Sequence, residues 1–104
     1  MIQKKERLTI KYKLPKVKEF IKKGDFKITK KAQGTAQDDF GFEDTEIVKA
    51  VMSLQEKDFV ISKKNVNRPG WMDVYNAKIG DKIAYIKLTI QEDTILLIIS
   101  FKEK

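Results

Sequence analysis

The stretch that decides the fold is Lys82-Ile-Ala-Tyr-Ile-Lys-Leu-Thr-Ile-Gln91, then Glu92-Asp93, then Thr94-Ile-Leu-Leu-Ile-Ile-Ser-Phe-Lys102. Two apolar, β-branched runs separated by two acidic residues predict a long antiparallel hairpin. With Glu92 and Asp93 as the turn, Gln91 falls opposite Thr94, Leu88 opposite Leu97 and Ala84 opposite Phe101. One face then reads Ala84, Ile86, Leu88, Ile90, Ile95, Leu97, Ile99 and Phe101, wholly apolar, and it requires a cover. The other face carries Ile83, Tyr85, Lys87, Thr89 and Gln91 against Lys102, Ser100, Ile98 and Leu96. Tyr85 is expected opposite Ser100 and diagonal to Lys102, so a phenol, a hydroxyl and two ammonium groups gather on the uncovered face.

Upstream, Phe59–Lys63 and Trp71–Ala77 predict two shorter strands around the turn Asn67-Arg68-Pro69-Gly70, and Ile79-Gly80-Asp81 is the next turn. Before them the period is helical. Leu14, Val17, Phe20 and Ile21 form a stripe entered at Pro15 and stopped at Gly24. A second helix starts at the N-cap Thr29, passes Ala32 and Ala36 and ends with Phe40-Gly41. A third is capped by Asp44 and carries Ile47, Val48, Val51 and Leu54. The expected fold is α+β: three N-terminal helices packed on one face of a four-stranded or larger antiparallel sheet, with residues 1–104 as a single domain.

Composition narrows the chemistry. The chain has 104 residues, 41% hydrophobic and 36% charged, with no Cys and no His. That excludes a disulfide framework, thiolate-bound zinc, and cysteine or histidine catalysis, and no cofactor or metal site is expected. The acidic pairs Asp38-Asp39, Glu43-Asp44 and Glu92-Asp93 sit at helix ends or turns, where they cap and solvate. The longest apolar run, Ile95–Ile99, is far short of the ~20 residues of a membrane span, and no apolar stretch follows the basic start. A soluble, cytoplasmic protein is expected.

The net charge of +7 is uneven. Residues 1–31 hold 12 Lys+Arg against three acidic residues, 32–58 hold two against seven, and 59–104 hold eight against five. A basic block suits a polyanion as well as it suits solvent. Twenty of the 22 cations are Lys, a point charge that follows phosphates better than it reads base edges. The reaction open to such residues is RNA cleavage by the 2′-hydroxyl. Clustered ammonium groups stabilise the phosphorane and lower one another's pKa, so one can act as base, while Tyr85 donates a proton or orients the phosphate. A plain surface role for the same tyrosine and lysines is the competing reading. Lys64 and Arg68 flank a turn and are candidates to clamp phosphates. Trp71 is a candidate base-stacking platform, and Lys87 a further RNA contact.

Asp58-Phe59, Trp71-x-Asp73-Val74-Tyr75, Tyr85-x-Lys87 and the terminal Ser100-Phe-Lys-Glu-Lys104, in that order, resemble the MqsR (motility quorum-sensing regulator) toxins over about residues 8–104. The resemblance implies a RelE-like fold and a metal-independent mRNA endoribonuclease of a type II toxin–antitoxin system. It also implies a cognate antitoxin that carries zinc and a helix-turn-helix. Its catalytic set is a Lys in a Phe-x-Lys-Ser strand, a Gln after the Trp, a Tyr in the long strand and a Lys near the C-terminus. The last two map onto Tyr85 and Lys102. The first two are replaced by Ile61 and Met72, and Lys63, two residues on and on the same strand face, is the expected stand-in. Lys64 points to the other face. Catalytic candidates are therefore Tyr85, Lys102 and Lys63, and the two replacements leave open a weakened or purely binding homologue.

Overall fold

A computed structural model describes residues 6–67 and 69–104. In chain order the elements are β1 (Glu6–Arg7), α1 (Leu14–Lys23), β2 (Phe26–Ile28), α2 (Lys30–Phe40), α3 (Asp44–Met52), β3 (Phe59–Lys64), β4 (Trp71–Ile79), β5 (Lys82–Gln91) and β6 (Ile95–Glu103). The sheet has six strands in the order β1-β3-β4-β5-β6-β2. It is mixed, because β2 runs parallel to β6. The expectation of an antiparallel sheet preceded by all the helices is thus corrected twice, by β1 before α1 and by β2 between α1 and α2. Both strands are too short to show a period of two, and each is held by a partner far along the chain.

Each helix follows local chemistry. In α1, Leu14, Val17 and Ile21 are buried, Pro15 occupies the first turn, and Gly24 closes the helix at φ 79°, a left-handed conformation that favours glycine. Thr29 caps α2 by accepting the Ala32 N–H at 3.1 Å and donates its hydroxyl to the Ile99 carbonyl at 2.9 Å. Thr35 donates to the Phe101 carbonyl at 2.6 Å, so two hydroxyls tie α2 to β6. The N-cap of α3 is Glu43, not Asp44: Glu46 reaches back to accept the Glu43 N–H at 2.7 Å, a reciprocal cap that wins over a single aspartate.

The hairpin register differs from expectation. Glu92 and Asp93 both take positive φ (49° and 57°), and Thr94 is drawn into the turn. The loop therefore has three residues, and Gln91 pairs with Ile95, Thr89 with Leu97 and Leu88 with Ile98. A bulge beyond Leu88 adds a second shift, after which Lys87 pairs with Ser100, Ile86 with Phe101 and Tyr85 with Lys102. One shift flips the faces near the turn and the second restores them. Leu96 and Ile98 are consequently the buried residues, while Ile95, Leu97 and Ile99 lie half-buried on the opposite face. Phe101 stays in the core as expected, packed against Phe40 and Phe42. The helices cover Tyr75, Ala77, Ala84, Ile86, Leu88, Ile90, Leu96, Ile98 and Phe101. No helix carries the other face among the described residues.

Candidate functional site

Strand alternation assigns the open face. From β3 come Ile61 and Lys63, from β4 Met72, Val74 and Asn76, from β5 Tyr85, Lys87 and Thr89, and from β6 Leu97, Ser100 and Lys102. Two rows matter. Ile61, Val74, Lys87 and Ser100 are in register across four strands, and Asn76, Tyr85 and Lys102 across three. The double shift in the hairpin therefore places Lys102 directly beside Tyr85, not diagonally. Its Nζ lies 5.2 Å from the centre of the phenol ring, a cation–π contact that positions the ammonium.

Lys87 lies at the centre of this cluster. Its ammonium titrates below the ordinary lysine range because partial burial disfavours the charged form, and because Lys63, Lys31 and Lys102 add like charge. Lys31 enters from the first turn of α2, and Lys27, in register with Leu97, adds a further exposed cation at the sheet edge. Neither was singled out from the sequence. Lys27 reaches this face only through the parallel β2–β6 pairing, for which the local pattern gives no signal. Asn76, beside Tyr85, keeps its Oδ1 buried without a hydrogen-bond partner.

Of the residues expected to contact RNA, Lys87 belongs to the cluster, while Lys64 and Trp71 do not. Both alternate onto the face of Ser62 and Asp73, paired with each other. Trp71 is half-buried there, with the Arg7 guanidinium 5.4 Å from its ring centre. Trp71, expected as a base-stacking platform, therefore lies on the face opposite the Lys63, Lys87 and Lys102 cluster. Arg68 lies outside the described residues. Asp73 is fully buried and accepts the backbone N–H groups of Lys11 (3.2 and 3.1 Å) and Tyr12 (2.9 Å). Tyr75 is also fully buried, and burial, with Asp73 next, pushes its phenol above the usual range. Trp71, Asp73 and Tyr75 of this pattern therefore lie behind the sheet, while Val74 lies on the open face.

The family description "Motility quorum-sensing regulator, toxin of MqsA" matches residues 9–103. The chain belongs to the MqsR toxin family. The "mRNA interferase toxin MqsR" of Escherichia coli (strain K12) is 31% identical over 100 residues, spanning 95% of this chain and 99% of that protein. The four positions that the MqsR resemblance singles out, 61, 72, 85 and 102, all fall on the open face. Two of them hold aliphatic side chains, Ile61 and Met72. Lys63 is paired directly with Met72, so an ammonium flanks the position where a glutamine is expected. No group of three or more possible metal ligands occurs among the described residues, and no helix among them is long and apolar enough to cross a membrane.

Proposed function

We propose that the chain, acting as one RelE-like domain in the cytoplasm, is an mRNA endoribonuclease toxin that cleaves without a metal ion. The observation that carries this reading is the gathering of Lys63, Lys87, Lys102 and Tyr85 on one helix-free face. Lys87, its pKa lowered by burial and by neighbouring lysines, takes the proton of the 2′-hydroxyl as that oxygen bonds to phosphorus. Lys63 and protonated Lys102 stabilise the charge of the phosphorane. The P–O5′ bond then breaks, and Lys102 gives its proton to the departing oxygen, leaving a 2′,3′-cyclic phosphate and a 5′-hydroxyl. Tyr85 holds Lys102 under its ring and orients the phosphate with its hydroxyl. The partner is a cognate antitoxin, and we take it to be a zinc-carrying helix-turn-helix protein.

The pH dependence tests the base. The neutral fraction of Lys87 grows as pH rises through its lowered pKa, so the single-turnover rate should climb with pH before it levels off. Lys87→Arg keeps the charge and cannot deprotonate, so it should be slower, with that rise gone. A wild-type rate that falls with pH over the same range would assign Lys87 to charge stabilisation instead. A binding test is independent of chemistry. Each lysine on a phosphate contributes about one unit to the slope of log affinity against log salt, so Lys63→Ala should flatten the slope by about that much.

A second reading follows from Ile61 and Met72, which replace two polar side chains of the expected set. A homologue that holds RNA or antitoxin without cutting would retain RNA in a salt-dependent way and release no cyclic-phosphate ends.

A further inference from the structure

The displaced hairpin register puts Leu97 and Ile99 on the open face in place of the expected Leu96 and Ile98. Leu97 and Ile99 lie half-buried on the open face and, with Met72 and the exposed Val66, form the apolar part of a cavity of about 400 Å³ beside Lys87. Its polar lining includes three side-chain amides, Gln91 at the end of β5 and Asn65 and Asn67 in the turn after β3. Among the described residues no carboxylate contributes to it, and Lys87 is the one charged group. Lys27 and Lys63 lie beyond it on either side, in register with Leu97 and Met72.

An aliphatic wall, an amide rim and a cation at one edge suit a flat, neutral ring carrying donors and acceptors and joined to an anion. Amides can pair with such a ring because each offers both an N–H and a C=O. A simple phosphate needs neither the apolar wall nor the amides, and an acidic peptide would leave the wall unused. The Thr89 hydroxyl proton at this site is already committed, donating to the Trp71 carbonyl at 2.6 Å, so the neutral donors for a base come from the amides.

We propose that this cavity is a nucleobase pocket: it takes one base of the RNA strand next to the bond that is cut, packs it on Met72, Leu97 and Ile99, and selects it through Gln91 and Asn67. This rests on the open face being the RNA surface. It gives the aliphatic residue at position 72 a use, since packing a base replaces the polar contact of a glutamine.

The test has two arms. In the first, cut sites of wild type, Gln91→Ala, Asn67→Ala and Leu97→Ala on one long mRNA are mapped by sequencing new 5′ ends. Wild type should favour one base at a fixed position relative to the cut. The ratio of preferred to disfavoured cutting should fall about tenfold or more in the variants. In the second, a 2′-O-methylated random heptaribonucleotide pool, which cannot be cut, is sequenced before and after retention on each protein. The same base should be enriched by wild type and lost with Gln91→Ala, an exchange at a partly exposed amide that spares the core even if Leu97→Ala unfolds. Wild type that sorts the pool without cutting mRNA would overturn the nuclease reading and keep the pocket. Wild type that cuts or retains RNA with no base preference, or variants that keep the preference, would overturn the pocket.

Discussion

Lys102→Ala is expected to slow cleavage of a long mRNA by about 100-fold or more, measured under single-turnover conditions with excess enzyme. Removing one preorganised charge from a developing oxyanion is commonly a loss of about 3–4 kcal/mol, and in the proposed mechanism the same ammonium also supplies a proton. The packing of Lys102 on Tyr85 grades the series. Tyr85→Phe keeps the ring under the ammonium and removes the hydroxyl, so it should cost about tenfold. Tyr85→Ala removes both and should approach Lys102→Ala. The double variant Tyr85→Ala/Lys102→Ala should then be scarcely slower than either alone, because the two act as a unit. Losses that multiply in the double variant would show that the two side chains act separately. Lys102 is exposed at the end of β6, so unchanged melting temperatures are expected across its single variants.

The second large effect is on stability. Asp73 is buried, and its carboxylate accepts the N–H groups of Lys11 and Tyr12. Asp73→Ala leaves both part-buried donors with no acceptor at that site, and a donor left unpaired inside a protein costs about 1–3 kcal/mol. A loss of about 2–4 kcal/mol follows, which for a chain this size lowers the melting temperature by roughly 10 °C or more. The damage reaches the open face indirectly. Tyr12 Oη lies 3.4 Å from the Trp71 N–H and 3.3 Å from the Thr89 hydroxyl, so loosening residues 11–12 loosens the strands that carry Met72 and Lys87. Asp73→Asn keeps a carbonyl acceptor and should lose about half as much. Denaturant melts of both variants decide it, and a loss below about 0.5 kcal/mol for Asp73→Ala would contradict the role.

Much of the fold is legible in the sequence where a residue commits its neighbours locally. Pro15 and Gly24 bracket α1, Thr29 and Gly41 bracket α2, and the alternation in Lys82–Gln91 marks β5. The register is less legible. Two acidic residues read as a two-residue turn, but Glu92 and Asp93 in left-handed conformation take Thr94 with them, and nothing local announces the bulge at Ile99. Because the two shifts cancel in parity beyond the bulge, Tyr85, Ser100 and Lys102 fall on the expected face, whereas Leu96 and Ile98 exchange roles with Ile95, Leu97 and Ile99. The site was therefore half legible. Tyr85 and Lys102 follow from alternation alone, but the central place of Lys87 requires knowing that Lys63, Lys31 and Lys102 converge on it from three other elements. Trp71 was legible as an aromatic opening a strand, but its side of the sheet, away from the cluster, is set by pairing with Lys64.

The most direct test of the open face as a metal-independent nuclease is the chemistry of its product ends. Purified protein is incubated with a long mRNA in excess EDTA, and the fragments are analysed at both termini. Fragments ending in 2′,3′-cyclic phosphate and beginning with 5′-hydroxyl, absent with Lys102→Ala, are the predicted result. Intact RNA at high enzyme concentration, or fragments bearing 5′-phosphate and 3′-hydroxyl, would contradict it.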